Sequence, residues 1–461
     1  MEDALAGGAV SAKESGCRVS PDNYISADFA ALEKEHLWPK VWQVACRAED
    51  IPNPGDYVVY DIADETIVVV RRPEGKIKAF FNVCPHRGRQ IVQGAGHAVN
   101  FRCGYHNWAF DLDGKNVVVQ DRDDWGGFLD KECLDLVAVR TGTWGGFVFV
   151  NLDPDAESLE DFLDPVPEYL DPYELENMRY RWALELHLDC NWKTALEAFM
   201  EGYHVAGTHS QLLPTQGEDY TTSFARGKHG HFGYWTAQVP LGQPSPRLKR
   251  AAPDDPRPGV VEFFRLMEET FGAIFTDRDY DAAKRILDEC PVDADPLTVF
   301  GMAVEFGRQA AERDGCGYPP NLTPEVMYKS GTDWSVFPNN VTLPYFDGAV
   351  WYRARPDGND PNKCIFNVYS LKRYAPGAEP GAKVEVHKSI EGKSFGQIVD
   401  QDLENMMLVQ KGMRSRGFRY AVPNPVQEVE IINFHRTLEE YVLGQRRGMP
   451  DAYPGLRKTE K

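Results

Sequence analysis

Two short segments set the strongest condition on how this chain folds: Cys84-Pro-His86-Arg-Gly88 and Cys103-Gly-Tyr-His106. Each offers one thiolate and one imidazole, and neither half holds a metal alone. Residues 87–102 lie between them, so the fold must return to the same point after a short excursion. Two sulfurs and two nitrogens can bind a tetrahedral zinc. They can also bind a two-iron, two-sulfide cluster with both cysteines on one iron and both histidines on the other. Zinc fingers group a cysteine pair ahead of a histidine pair, whereas each half here carries one of each. The interleaved order favours the iron–sulfur cluster.

The surrounding sequence predicts a frame for these loops. From about residue 43 to 153, short apolar or alternating runs are separated by Pro-Gly, Asp-Glu and Glu-Gly turns, the pattern of a small antiparallel β domain. Phe80-Phe81-Asn82-Val83 leads into Cys84, and a hairpin is expected to leave His106. Ahead of this domain, residues 29–42 read as a helix ended or bent at Pro39. Behind it, an acidic, proline-rich hinge spans 153–178, with a short helix at 158–164 and then a strand over 181–192. Residues 194–206 are predicted as one helix ending near Gly207. Further helices are expected at 260–275, 296–314 before Gly315, 400–416 before Gly417 and 431–443 before Gly444, with strands over 341–375. The expected class is α+β: an N-terminal segment (1–40) packing on the catalytic domain, a β domain (41–155), and a catalytic domain (156–461) with helices covering an antiparallel sheet.

The balance of 50 Lys+Arg against 70 Asp+Glu, a formal net charge of -20, argues against nucleic acid or an anionic membrane surface as partner. No apolar run approaches the length of a membrane span, and the N-terminus lacks the basic start and apolar core of a secretory signal. The nine cysteines show no framework spacing. Outside the two loops, Cys17, Cys46, Cys133, Cys190, Cys290, Cys316 and Cys364 read as reduced thiols, and a cytoplasmic protein is expected.

A second constellation lies in the predicted 194–206 helix. Glu201 and His204 are three positions apart, on one helical face, and His209 follows five residues later. Five residues turn an ideal helix by about 500°, roughly 140° off that face. His209 can therefore join His204 only if the helix ends or unwinds between them, which Ala206-Gly207-Thr208 permits. The His-Glu-x-x-His spacing of zinc proteases is absent. Two histidines with a later carboxylate would make the two-His-one-carboxylate site that leaves ferrous iron open to O2. A histidine pair alone is more often structural; beside a one-electron carrier it becomes a coherent electron acceptor.

In these motifs, and in the run Asn191-Trp192-Lys193, the chain resembles over nearly its whole length the large (α) subunit of Rieske non-haem iron ring-hydroxylating oxygenases. The resemblance implies a [2Fe-2S] cluster on Cys84, His86, Cys103 and His106. It implies a mononuclear Fe(II) on His204, His209 and a carboxylate of the late acidic helix, where Asp402 is favoured over Asp400 and Glu404. It also implies a homotrimer, with or without a small β subunit. In that trimer Glu201, at a position where most relatives have Asp, would bridge His106 of one subunit to His204 of the next. Ala198 stands where several relatives have Asn. Arg87, Tyr105 and Trp108 are expected to shield and tune the cluster, and Trp192 and Tyr203 to pack or position. Electrons would come from NAD(P)H through a separate reductase, with or without a ferredoxin, because the chain has no dinucleotide-binding fingerprint of its own. Aromatics such as Phe232, Tyr234, Phe263 and Tyr345 suit an aromatic or apolar substrate. Ring dihydroxylation is the expected outcome, with monooxygenation or O- or N-demethylation as the alternative. More distant readings are an electron-transfer Rieske protein without oxygenase activity and a zinc-dependent structural or regulatory protein.

Overall fold

A computed structural model describes residues 18–444. The chain separates into two compact units. One is Leu32–Phe162, and the other joins the described residues up to Ala31 with those from Leu163 onward. Cys17 and the first part of the expected 1–40 segment lie outside the described residues. No helix among the described residues is long and apolar enough to cross a membrane.

The first unit is built on a seven-stranded antiparallel sheet. Asp56–Ile62, Glu65–Arg71 and Ile77–Phe81 form its consecutive central strands, with Tyr60 opposite Ile67 and Ile67 opposite Phe81. The run Ile67–Val70 is fully buried, as expected of β-branched residues in a sheet interior. A separate three-stranded sheet of Phe101–Arg102, Ala109–Phe110 and Asn116–Val118 supplies the hairpin that leaves His106. Val68, Val70, Phe80, Phe101 and Phe110 pack into one core that includes Cys84 and Cys103. The thiols thus stand on the hydrophobic centre of the unit rather than on mobile loop tips.

The second unit carries an eight-stranded sheet, with Gly348–Pro356, Cys364–Arg373 and Met178–Leu188 side by side. Every pairing is antiparallel except the last, where Val384–His387 adds parallel to Met178–Leu188. The strands Thr222–Arg226, His229–Gly233 and Asp333–Val336 fall in a stretch without clear sequence periodicity. Their burial explains this: all of His229–Gly233 and Asp333–Val336 is covered, so no polar face alternates with an apolar one. The helices Arg257–Thr270, Pro296–Arg313 and Val429–Leu443 occur near their expected places. The acidic helix runs from Gln397 to Met413, beginning before Asp400 and stopping short of Gly417. The architecture is α+β.

One expectation fails. Residues 194–206 do not form a continuous helix but two short ones, Trp192–Glu197 and Val205–Thr208. The first tightens into three-residue turns at its end, where Phe199 N–H donates to Leu196 O and Met200 N–H to Glu197 O. Glu201 then captures the His204 amide with its own carboxylate, replacing the helical carbonyl partner at 2.9 Å.

Candidate metal centres and the catalytic cavity

The two cysteine–histidine loops have the same backbone design. Cys84 N–H donates to Arg89 O and accepts on its own carbonyl from Gly88 N–H, both at 2.9 Å. Cys103 repeats this with Trp108 O at 2.8 Å and Asn107 N–H at 3.0 Å. The fourth residue after each cysteine has positive φ, 75° at Gly88 and 60° at Asn107, residue types that tolerate it. Each loop thereby turns its intervening N–H groups toward sulfur: those of His86 and Arg87 toward Cys84, those of Tyr105 and His106 toward Cys103. Burial disfavours both thiolates, and in Cys103 the hydrogen bonds outweigh it and lower the pKa, while Cys84 stays raised.

Both sulfurs are buried and within hydrogen-bonding reach of each other, while His86 and His106 are half-exposed with ring centroids 4.5 Å apart. Paired sulfurs inside and paired imidazoles outside suit a two-iron cluster. His86 Nδ1 is buried without a hydrogen-bond partner among the described residues, which fits a ligand atom, and burial, with help from His106 and Arg87, lowers the His86 pKa. Trp108 stacks on His86 at 4.8 Å, Tyr105 covers His106 at 3.8 Å, and Arg87 lies over Tyr105 at 5.2 Å. Trp125, edge-on to both His86 and Trp108, completes the shield. It lies beyond both motifs, and nothing in their spacing pointed to it.

The second centre is assembled from segments two hundred residues apart. Asn191 caps the Trp192–Glu197 helix by accepting from Lys193 N–H at 3.0 Å, and its amide donates to Pro361 O at 2.7 Å. Trp192 and Lys193 are buried, which accounts for the Asn-Trp-Lys run as a structural anchor. Gln410, on the acidic helix, accepts from Asn191 N–H and Thr194 Oγ1, both at 3.0 Å, locking that helix onto the segment.

His204 and His209 flank the one-turn helix Val205–Thr208, with His209 N–H bonded to Val205 O at 2.9 Å. The predicted helix thus breaks before His204, and the short turn that follows ends at Thr208, before His209, one of the two ways in which their spacing allowed them to meet. Their rings lie 5.2 Å apart. Asp402 Oδ1 is 3.0 Å from His209 Nε2 and 3.8 Å from His204 Nε2. The outer nitrogens are held in turn. His204 Nδ1 bonds Glu201 Oε1 at 2.8 Å, and His209 Nδ1 bonds Gln401 Oε1 at 2.9 Å. Both Nε2 atoms then face Asp402 as lone-pair donors, the arrangement a metal requires. Burial works against a charged His204, but the Glu201 and Asp402 carboxylates prevail and raise its pKa. Asn405 Nδ2 donates to Thr208 Oγ1 at 3.0 Å, so Gln401, Asp402 and Asn405 grip the histidine turn from one helix face. Asp400 is engaged elsewhere, accepting from Ser394 Oγ and Phe395 N–H beside the helix start, and Glu404 is exposed. Gln401 and Asn405 have no motif to announce them.

Beside this centre lies a cavity of about 400 Å3 lined by His204, His209, Asp402 and a wall of aromatics that includes Phe199, Phe232, Phe263, Tyr345 and Tyr352. Ala198 ends the first short helix, Tyr203 is half-exposed, and neither is among the lining residues.

Paired thiols and imidazoles on one β unit suit a two-iron cluster, and two histidines with a carboxylate beside an apolar cavity on an α+β unit suit a mononuclear iron. The model of the Rieske [2Fe-2S] domain matches residues 41–125, and that of the ring hydroxylating alpha subunit catalytic domain matches 175–273 and 299–444. The chain belongs to the ring-hydroxylating alpha-subunit family, whose cofactors are a Rieske [2Fe-2S] cluster and a mononuclear iron.

Among similar proteins, the carnitine monooxygenase oxygenase subunit of Escherichia coli (strain K12) is 34% identical over 216 residues, 46% of this chain and 56% of that protein. The anthranilate 1,2-dioxygenase large subunit of Acinetobacter baylyi is 32% identical over 219 residues, 46% of either chain. The chain thus aligns with about half the length of the curated relatives it matches. Two solved structures share the fold. The quaternary ammonium Rieske monooxygenase CntA in complex with L-carnitine has a TM-score of 0.61 at 18% identity, covering 92% of this chain and 95% of that one. Naphthalene 1,2-dioxygenase from Rhodococcus sp. has 0.62 at 21%, covering 93% and 95%.

Proposed function

We propose that the protein is the terminal oxygenase component of a cytoplasmic electron-transfer system, hydroxylating an apolar or aromatic small molecule with O2. The observation that carries this reading is the meeting of His204 Nε2, His209 Nε2 and Asp402 Oδ1 beside an apolar cavity, in a chain that also has a Rieske domain. Cys84, His86, Cys103 and His106 hold the [2Fe-2S] cluster; His204, His209 and Asp402 hold Fe(II). The bound iron supplies O2 activation, and the cluster supplies electrons taken from a separate NAD(P)H-dependent reductase, with or without a ferredoxin.

The chain's own residues prepare that chemistry. Glu201 and Gln401 fix the tautomer of each histidine, so that both present Nε2 to one point. His204, His209 and Asp402 would hold an iron(II) through three protein atoms. The aromatic wall keeps water from the reacting face. Glu201 spends one lone pair of each oxygen on His204 and retains others, so in a homotrimer it can accept from His106 of a neighbouring subunit.

Purified protein should contain about three irons per chain, two in the cluster and one mononuclear. A colourless, zinc-loaded protein would sink the reading. Glu201→Gln should keep both metals yet slow substrate-coupled reoxidation of the cluster sharply; unchanged coupled turnover would remove the bridge. The aromatic cavity wall supports ring dihydroxylation. Monooxygenation is the second reading, favoured by similarity to carnitine monooxygenase and to the glycine betaine monooxygenase of Chromohalobacter salexigens, 35% identical over 184 residues. Products made under 18O2 separate them: a cis-diol with both oxygens labelled, against one labelled oxygen and, for demethylation, released formaldehyde.

A further inference from the structure

The cavity contains two polar atoms whose role the metal centre does not explain. Tyr345 Oη and Gln216 Oε1 are both buried without a hydrogen-bond partner among the described residues, and both residues line the cavity while being 7% and 8% exposed. The buried polar atoms nearer the histidines, on Glu201 and Gln401, are paired. Natural proteins rarely leave such atoms orphaned unless a ligand or water completes them.

Neither group can relax into solvent. Tyr345 sits in the turn between strands Asn340–Pro344 and Gly348–Pro356, its amide bonded to Gly348 O at 2.7 Å. Its ring is packed against Phe275 at 4.4 Å and Phe346 at 4.9 Å. Gln216 is held by its backbone N–H to Leu212 O at 2.9 Å, and its side-chain amide bonds the Tyr234 hydroxyl. The two differ in what they offer. A phenol can donate, whereas an amide oxygen only accepts. A hydroxyl group, donor and acceptor at once, satisfies either.

The charges on the wall narrow the class further. Apart from the two histidines, the ionisable acids and bases lining the cavity are Glu201, Glu218 and Asp402; among the described residues no Lys or Arg lines it. Glu218 is half-buried, and no Lys or Arg stands beside it on the cavity wall among the described residues. Away from the metal centre, a substrate carboxylate would thus be desolvated with no Lys or Arg among the described lining residues to pair it.

We propose that Tyr345 and Gln216 are specificity-determining residues that hydrogen-bond the hydroxyl groups of an otherwise apolar substrate, and that the cavity wall around them disfavours carboxylates. This rests on the oxygenase reading for its purpose, but binding tests it separately from turnover.

Three fluorescent probes of one shape serve for the test: phenanthrene, 9-phenanthrol and phenanthrene-9-carboxylate, titrated into full-length protein whose iron content has been measured. The hydroxyl compound should bind about tenfold more tightly than the hydrocarbon, the factor a buried hydrogen bond supplies. The carboxylate should bind at least about a hundredfold more weakly than the hydroxyl compound. Tyr345→Phe and Gln216→Leu should each weaken 9-phenanthrol binding far more than phenanthrene binding, eroding the preference. Equal losses for both ligands would indicate packing only and overturn the assignment. So would carboxylate binding on a par with the hydroxyl compound, or failure of all three probes to bind iron-loaded protein. Missing iron would instead count against the oxygenase reading, and the ranking of the probes, read without turnover, would still decide this one.

Discussion

The two candidate metal centres are built by opposite strategies. At the cysteine–histidine loops, all four donors fall within residues 84–106, and each loop is closed by its own backbone hydrogen bonds and one left-handed residue. At the second centre, two donors flank a single helical turn, and the third arrives from a helix two hundred residues later, aligned by Gln401, Asn405 and Gln410. The first is a local structure that carries its own geometry. The second exists only when distant elements pack, so its precision depends on side-chain hydrogen bonds rather than on a short stretch of backbone. The loops therefore leave their histidines half-exposed, suited to passing electrons outward, while Asp402 and His209 are almost wholly enclosed.

Removing one candidate ligand from each centre should give the largest effects and tests whether the centres are independent. Asp402→Ala should abolish iron at the second centre while the visible absorbance of the cluster persists. Cys103→Ser should remove the cluster and leave iron at the second centre. Metal analysis with optical and EPR spectra reads both; loss of both centres in either variant would show one cooperative structure instead of two. A smaller change is expected at Gln401, which touches no proposed metal position but fixes His209 Nδ1. Gln401→Leu should weaken iron binding by about 10- to 100-fold without altering the cluster, as for other residues that orient metal ligands. Competition with a chelator measures it.

The contrast also explains what could be read from the chain. The Cys84/His86 and Cys103/His106 spacing was enough to foresee two loops at the end of a β unit, because the loop closure is local. His204, His209 and Asp402 were legible as residue types, and Asp402 was chosen over Asp400 by resemblance. Its reason is visible only in three dimensions: Asp400 is consumed by Ser394 and Phe395 beside the helix start. The expected 194–206 helix failed because Glu201 competes for the His204 amide, an interaction that apolar periodicity does not register. Gln401, Asn405, Trp125 and the orphaned Tyr345 hydroxyl were illegible for a related reason. Their roles come from partners far away in sequence, and their types are common in many other settings.

The local design of the first centre can be tested at Asn107, whose φ of 60° is one that a side chain tolerates poorly. Asn107→Ala should cost about 1 kcal/mol and show as earlier thermal loss of cluster absorbance, whereas Asn107→Gly should stay near the parent protein. Equal loss in both variants would instead credit the side chain, which accepts from Arg102 at 2.9 Å.

An effect of comparable size separates the centres by their surroundings. Around the second, acids are crowded: Glu428 is pushed up to about 7 by burial and by repulsion from Glu201 and Glu197, although Asn424 N–H bonds favourably to its carboxylate. The unfolded chain would release this proton near pH 4.5, so the folded protein binds it more tightly across the interval between the two values. The contribution to stability is therefore complete below about pH 4.5 and is lost as pH rises through about 7. Because the group is partly solvated, solvent screening reduces it to roughly 1–2 kcal/mol. The melting temperature should accordingly fall between pH 5 and pH 8, and Glu428→Gln, which keeps an acceptor for Asn424 but carries no charge, should flatten that slope. If the variant and the parent lose stability in parallel over this range, the pH dependence arises elsewhere, and the crowding of acids beside the second centre is compensated within the folded chain.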